Sequence, residues 1–280
     1  MISSEVRTLA RKKLQGKWGK AVINTLAYFS LWFILDIIRR FLNDSWIITI
    51  IFWIIEIPMT FGLSYTFFNL YHGYKDSKSL DFWNFGFNNF GRSWSIAFTV
   101  IRKMIVPIII VIVGHVLSFI AFFQLATSSI YSFYRYYYFS SAAQGSAFLL
   151  IISAIVLLVG YIWLAFRSYY YQLSFYVAFD NPNMLPKDCV ATSEELMTNN
   201  RAKLFGLQLS FIGWALLGIF TFFIGYLWLI PYITFATIVF YDYLAHGIDG
   251  DVQVVNNSDA INNAINIDSV STNDDSKMNR

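Results

Sequence analysis

Glu56 is the side chain in this sequence with the clearest capacity for chemistry in apolar surroundings. It lies near the middle of a hydrophobic block, where inserting a carboxylate into a bilayer costs about 2.5 kcal/mol or more. Pro58 follows it, leaves a backbone carbonyl one turn earlier without its usual amide donor, and favours a kink. An acid beside a kink can form a polar pocket. Glu56 is therefore either a proton or cation site, or a neutral, hydrogen-bonded structural carboxyl, because desolvation disfavours the charged form.

Two other apolar blocks also carry titratable side chains. His115 follows a glycine within its block, so it either relays protons with Glu56, if their helices touch, or stays a neutral imidazole bonded to a neighbouring helix. Asp36 precedes Arg39 by three residues and Arg40 by four. This spacing predicts ion pairs on one face of a helix.

The segment 131–139 is rich in tyrosine and contains one arginine. Aromatic rings favour the headgroup zone of a membrane, so seating at the interface is one interpretation. The other is an outer-surface ligand site at Tyr134, Arg135 and Tyr136, since stacked rings with one guanidinium suit sugars or cationic and aromatic peptides.

The sequence lacks the motifs of the common enzyme classes. It has no phosphate-binding loop, no dinucleotide fingerprint, no His-Glu-x-x-His and no Gly-x-Ser-x-Gly, which excludes an ATP-driven pump in this chain alone. Cys189 is the single cysteine, so an intramolecular disulfide and a cysteine metal cluster are excluded. We expect no catalytic residue, no cofactor and no metal site.

The composition identifies the elements that must position these side chains. Hydrophobic residues make up 57% of the 280 residues, and the mean hydropathy is +0.52, more than a soluble fold can bury. The apolar residues gather into blocks of about 20, the length of a membrane-crossing helix. An all-α, polytopic transmembrane bundle is predicted, with six spans at about residues 21–38, 46–70, 104–123, 148–166, 204–223 and 226–245. We place the turn between the last two spans at Gly225 to Pro231, because both residue types disfavour a continuous helix.

The basic residues predict the orientation of these spans. Seventeen Lys and Arg residues fall on the side that holds both chain ends, and three fall on the other side. Short cytoplasmic segments retain positive charge. We therefore expect a multi-pass protein of the cell membrane with both termini in the cytoplasm.

Basic amphipathic segments precede the first, third and fifth predicted spans. Val6, Ala10 and Leu14 recur at helical spacing among basic residues, a pattern typical of a helix lying on an anionic inner leaflet. Related segments occupy residues 82–94 and 196–204. Three helical hairpins built as loose parallel repeats would explain this recurrence, and the constraints of membrane insertion alone would also produce it.

The last part of the chain differs in composition from the rest. Residues 249–280 are rich in Asn, Ser and Asp and contain no aromatic residue. Such a segment cannot bury a core, so we expect a membrane domain at 1–248 followed by a disordered, acidic cytoplasmic tail. The tail either solubilises the terminus or docks a partner.

Short motifs spread along the chain resemble a known family. They are Ala10-Arg11 to Trp18-Gly19, Phe85-Gly86-Phe87 to Asn89-Phe90-Gly91, Asp180-Asn181-Pro182, Ser193-Glu194-Glu195-Leu196-Met197, Leu209-Ser210-Phe211-Ile212-Gly213-Trp214, Gly225-Tyr226-Leu227-Trp228-Leu229-Ile230-Pro231-Tyr232 and Phe240-Tyr241. Together they resemble the domain-of-unknown-function 975 family of bacterial integral membrane proteins. The resemblance implies a polytopic helical fold in the membrane of a Gram-positive bacterium and brings no activity with it. Glu56 and the tyrosine-rich segment lie outside these motifs.

Two functions remain open from the sequence. The first is a non-enzymatic membrane protein that organises or regulates a cell-envelope process through its cytoplasmic segments. Its expected partners are the anionic inner leaflet and another protein, and nucleic acid is not expected. The second is a transporter of small solutes or lipids that uses the intramembrane carboxyl of Glu56.

Overall fold

The computed structural model describes residues 3–42, 46–73, 81–132 and 136–247, and within these ranges the chain is helical and has no β-strand. The helices are α1 (Ser3–Leu14), α2 (Trp18–Phe41), α3 (Trp46–His72), α4 (Phe82–Asn88), α5 (Phe90–Lys103), α6 (Ile105–Ser132), α7 (Tyr136–Ser168), α8 (Ser174–Asp180), α9 (Pro186–Met197), α10 (Arg201–Leu209), α11 (Ile212–Phe220) and α12 (Tyr226–His246). A short 3₁₀ helix, Tyr169–Tyr171, joins α7 to α8.

Six stretches of the described chain are long and apolar enough to cross a membrane. They are Trp18–Phe41, Trp46–His72, Ile105–Thr127, Gly145–Asp180, Arg201–Phe220 and Tyr226–His246. The predicted all-α, six-span polytopic fold is confirmed. The division into a membrane domain and a disordered tail stays a prediction, because residues 249–280 lie outside the described ranges.

The fifth stretch differs from the continuous helix that the sequence predicted. It is interrupted after Leu209, where the Ser210 hydroxyl donates to the Leu207 carbonyl at 2.6 Å. The following turn is also misplaced in the prediction, because it occupies residues 221–225, and Pro231 lies inside α12. Thr221 explains this turn: its hydroxyl oxygen accepts from the Gly225 amide at 3.0 Å.

Burial is concentrated at one end of the molecule. In α3 every buried residue lies between Pro58 and Tyr71, and in α12 every one lies between Leu229 and Tyr241. The buried halves of α3 and α12 pack around one core with α1, α4, α5, the 3₁₀ helix, α8, α9 and α10. We call this assembly the helical body.

The amphipathic helix α1 belongs to the helical body. Its apolar face, Val6, Ala10 and Leu14, is 2%, 0% and 0% exposed and packs against α12 and α10. Protein therefore covers this face, where the prediction expected lipid, and the placement of α1 at the inner leaflet stays a prediction. The periodicity predicts an amphipathic helix, but either protein or lipid can cover its apolar face, and periodicity does not distinguish the two.

Helices α3 and α4 approach each other at two glycines. A Cβ atom on Gly62 would overlap the carbonyl oxygen of Phe82, and one on Gly86 would overlap the carbonyl oxygen of Pro58. Only residues without a side chain permit two helix backbones to come this close. This contact fixes α4 against the buried half of α3.

Pro58 removes one amide donor from α3, and another helix replaces it. The carbonyl four residues earlier belongs to Ile54, and the indole nitrogen of Trp94 on α5 donates to it at 3.1 Å. An unpaired carbonyl in apolar surroundings costs about 1–3 kcal/mol, so this bond stabilises the kink-prone segment.

Helices α6 and α7 form a hairpin with few contacts to the rest of the protein. Two glycines allow them to pack closely: a Cβ on Gly114 would lie 2.7 Å from a methyl of Leu157, and one on Gly160 would lie 2.9 Å from a methyl of Val111. The outward faces remain uncovered, with Phe119 70% exposed. This α6–α7 hairpin therefore depends on lipid to cover its apolar surface.

Arg167 joins the base of the hairpin to the helical body. Its guanidinium donates to the Lys103 carbonyl at 3.3 Å and to the Tyr171 hydroxyl at 3.0 Å. Pro107, four residues after Lys103, cannot supply the usual helical donor to that carbonyl. Lys103 also forms an ion pair with Glu194 of α9, which ties α5, α7 and α9 together.

Candidate functional sites

Glu56 lines a groove between α2 and α3. The groove encloses about 250 Å³, and its wall also carries Tyr28, Asp36 and Arg39. Protein leaves the Glu56 side chain exposed, and among the described residues it has no hydrogen-bond partner. A carboxyl in this position is open to a proton or a small solute that enters the groove. The chemistry available is proton exchange or charge pairing.

Asp36 forms the ion pairs that its spacing predicted. Its carboxylate accepts from the Arg39 guanidinium at 2.8 Å and from the Arg40 Nε at 2.9 Å, which confirms the prediction. These pairs hold a carboxylate and a guanidinium at one end of the Glu56 groove.

His115 lies in a different helix pair from Glu56. Its Nε2 and the Tyr161 hydroxyl are 3.2 Å apart, so the histidine links α6 to α7. Glu56 lines the groove between α2 and α3, and His115 is not among the residues of that groove. No described hydrogen bond joins the two, and the contact observed is the neighbouring-helix bond of the second interpretation.

The predicted outer ligand site cannot be located in the structure. Tyr134 and Arg135 lie outside the described residues, and Tyr136 begins α7 with a side chain that is also outside them. The hypothesis of an outer-surface site at these residues stays a prediction.

A polar cluster in the helical body was missed by sequence reasoning. The Tyr241 hydroxyl donates to Asp180 at 2.9 Å, and His246 Nε2 lies 3.0 Å from the same carboxylate. His72 Nε2 lies 3.4 Å from Asp242. The cluster joins the ends of α3, α8 and α12. Asp180 and Tyr241 both stand in motifs of the family resemblance, which was the one available indication of their importance.

Arg92 secures the turn that follows α8. Its guanidinium donates to the carbonyl oxygens of Ala178, Asn181 and Pro182, at 3.2, 3.0 and 2.5 Å. The last carbonyls of a helix carry partial negative charge and lack intrahelical donors, so a cation stabilises them. Burial raises the pKa of the neighbouring Cys189 thiol, although the charge of Arg92 opposes this shift. Cys189 is also fully buried, so protein shields its thiol from reagents in solution.

Lys17 secures the end of α3 in the same way. Its ammonium donates to the carbonyls of Leu70 and Tyr71 at 2.7 and 3.2 Å. Burial lowers the pKa of Lys17, with Lys13 contributing in the same direction. These bonds fix the junction of α1 and α2 against the helical body.

A half-open cavity of about 670 Å³ lies beside the Arg92 contact. Aromatic rings form much of its wall, and Tyr65 and Phe85 stack with ring centroids 3.3 Å apart. Asn69, Arg92 and Asp180 add polar groups. We call it the body cavity. Its mixture of rings and a few convergent polar groups is the usual lining of a binding site.

Metal chemistry receives no support from the described part of the chain. In that part, no group of three or more His, Cys, Asp or Glu side chains is arranged to hold a metal ion. The His and Asp residues of the polar cluster instead contact one another in a row, from His72 through Asp242 and His246 to Asp180.

The fold and these sites together define a multi-pass α-helical membrane protein with a packed helical body at one end. The sequence profile of DUF975, described as a protein of unknown function, matches residues 1–246. The chain therefore belongs to this family, as its motifs indicated. Comparison with curated proteins gave no match, and comparison with solved structures gave none.

Proposed function

We propose that this is a non-enzymatic protein of the bacterial cell membrane that organises or regulates a cell-envelope process by binding a protein partner at its cytoplasmic face. The observation that carries the proposal is the body cavity. It lies in the helical body, where the buried half of α3 packs with α4, α5 and α8 to form its walls.

The charge distribution supports a cytoplasmic location for the helical body. The connecting segments that build it belong to the side with seventeen of the twenty Lys and Arg residues. Positive charge is retained on the cytoplasmic side of a membrane. A partner that binds the body cavity is then a cytoplasmic protein or the cytoplasmic segment of another membrane protein.

The rigidity of the body cavity suits protein recognition. Arg92 fixes one wall through three carbonyls, and the stacked rings of Tyr65 and Phe85 fix another. A preformed aromatic pocket accepts an apolar anchor side chain with little loss of conformational freedom. Asn69 and Asp180 can then orient the polar backbone beside that anchor.

Filling the body cavity tests the proposal. Asn69 is half-buried on its wall, so Asn69→Phe places a ring in the space that the partner would occupy. Asn88→Phe is the matched control, because Asn88 is exposed and does not line the cavity. We expect Asn69→Phe to lose the partner that co-purifies with wild type in mild detergent and to fail to complement a deletion strain at equal membrane abundance. Full complementation with the partner retained would refute the proposal.

The Glu56 groove supports a second candidate function, transport of a small solute or lipid. A carboxyl exposed in a groove between two membrane helices is an arrangement that proton-coupled or cation-coupled transport can use. Glu56→Gln removes the titratable group and keeps the shape. If this variant complements the deletion fully, coupled transport through Glu56 is rejected. Failure at normal abundance, with Asn69→Phe fully active, would place transport first.

A further inference from the structure

A second groove lies between α1, α11 and α12. It encloses about 390 Å³, and its walls are mostly apolar. Its lining includes Arg11, Trp214, Leu217, Thr221, Trp228 and Tyr232. Trp214, Leu217 and Trp228 are about half exposed, at 55%, 56% and 49%. The groove is therefore open on the side where protein does not cover α11.

The polar side chains of this groove differ in whether they already donate hydrogen bonds to the protein backbone. The Thr221 hydroxyl donates to the Gly218 carbonyl at 2.9 Å, and the Tyr232 hydroxyl donates to the Arg7 carbonyl at 3.2 Å. Arg11 is the charged residue of the lining, with its guanidinium 5.9 Å from the centre of the Tyr232 ring. No carboxylate lines the groove. Its charge complementarity therefore favours an anion near Arg11 and apolar matter elsewhere.

We infer that this groove binds one phospholipid of the inner leaflet, with the phosphate on Arg11 and an acyl chain against Trp214, Leu217 and Trp228. A lipid combines one anionic group with a long apolar chain, as the groove requires. The basic helix α1 is expected at the cytoplasmic interface, where anionic headgroups lie. A peptide fits less well, because its amides would find few free partners along an apolar wall.

Native mass spectrometry with phosphatidylglycerol tests this assignment on the full-length protein in detergent. A charge-assisted hydrogen bond contributes about 1.5–3 kcal/mol, so Arg11→Gln should weaken phosphatidylglycerol binding by about tenfold or more. Arg102→Gln is the matched control, since Arg102 is also an exposed arginine in an interfacial segment but lies outside the groove. We expect the control to bind as wild type does.

A second variant and two further ligands test whether the phosphate and the acyl chains are each recognised. Arg11→Lys retains the positive charge, so it should keep most of the binding if the phosphate is the group recognised. Diacylglycerol, which lacks the phosphate, and inorganic phosphate, which lacks the chains, should each bind at least about tenfold more weakly than phosphatidylglycerol. Equal binding of phosphatidylglycerol by wild type and Arg11→Gln would overturn the assignment. Equal binding of diacylglycerol by wild type would overturn it as well.

Discussion

The helical body and the α6–α7 hairpin use similar apolar residues in opposite ways. In the body, Met197 and Phe235 are 0% exposed, whereas in the hairpin Phe119 and Phe148 are 70% and 65% exposed. The body buries its side chains against protein, as a soluble domain does, while the hairpin leaves them for lipid. The hydrophobic composition of a segment thus predicts that its side chains avoid water. Tertiary contacts determine whether protein or lipid surrounds them.

The two regions also use glycine differently. In the body, Gly62 and Gly86 face backbone carbonyls of the neighbouring helix, whereas in the hairpin Gly114 faces the side chain of Leu157. A side chain can rotate away from an added methyl group, but a helix backbone cannot do so without moving the helix. The body should therefore tolerate substitution less well than the hairpin.

The largest effect should come from Gly62→Ala. Its methyl group would overlap the Phe82 carbonyl, and because a backbone atom cannot rotate away, the cost should reach the upper end of the about 1–3 kcal/mol typical of overpacking. We expect a lower midpoint of thermal unfolding in detergent and lower membrane abundance. Gly91→Ala is the control, because nothing lies within 4 Å of its added methyl and alanine favours a helix. Equal melting of the two variants would show that the α3–α4 contact is looser than described.

An intermediate effect is expected from Trp94→Phe, which removes the donor to the Ile54 carbonyl. The loss should be about 1–3 kcal/mol, because that carbonyl is left unpaired. Restoring an amide at position 58 by Pro58→Ala should make the same Trp94→Phe substitution nearly harmless. The measurement is a double-mutant cycle on thermal stability. A coupling energy of zero would mean that the indole bond does not compensate for the proline.

The smallest effect should come from Tyr161→Phe in the hairpin. This substitution removes the bond to His115, and side-chain hydrogen bonds between membrane helices contribute about 0.6 kcal/mol on average. We expect a barely measurable change in thermal stability and normal abundance. A loss as large as that of Gly62→Ala would indicate that the His115–Tyr161 pair has a role beyond joining α6 to α7.

Local patterns in the sequence predicted much of the fold. Blocks of apolar residues gave the six spans, and the spacing of Asp36 from Arg39 gave their ion pair. These features depend on residues close together in the chain. The orphan carbonyl created by Pro58 was also predictable, but its donor, Trp94, lies on another helix.

The polar cluster could not be predicted for the same physical reason. Asp180 and Tyr241 are 61 residues apart, and each is unremarkable in its own segment. The body cavity likewise arises only where α3, α4, α5 and α8 meet. The burial of α1 was missed because an amphipathic pattern does not specify whether protein or lipid covers the apolar face.

The proposed protein partner and the proposed inner-leaflet lipid both require the helical body to lie on the cytoplasmic side of the membrane. The native thiol is a poor reporter, since Cys189 is 0% exposed. Lys187 is exposed on the same helix, so Lys187→Cys in a Cys189→Ala background provides an accessible thiol. Ser132→Cys in that background marks the predicted outer side.

The decisive measurement is labelling of these two variants with a membrane-impermeant maleimide, in intact and in permeabilised cells. We expect Ser132→Cys to be labelled in both, and Lys187→Cys to be labelled only after permeabilisation. Labelling of Lys187→Cys in intact cells would place the helical body outside the cell and contradict both the cytoplasmic partner and the inner-leaflet lipid.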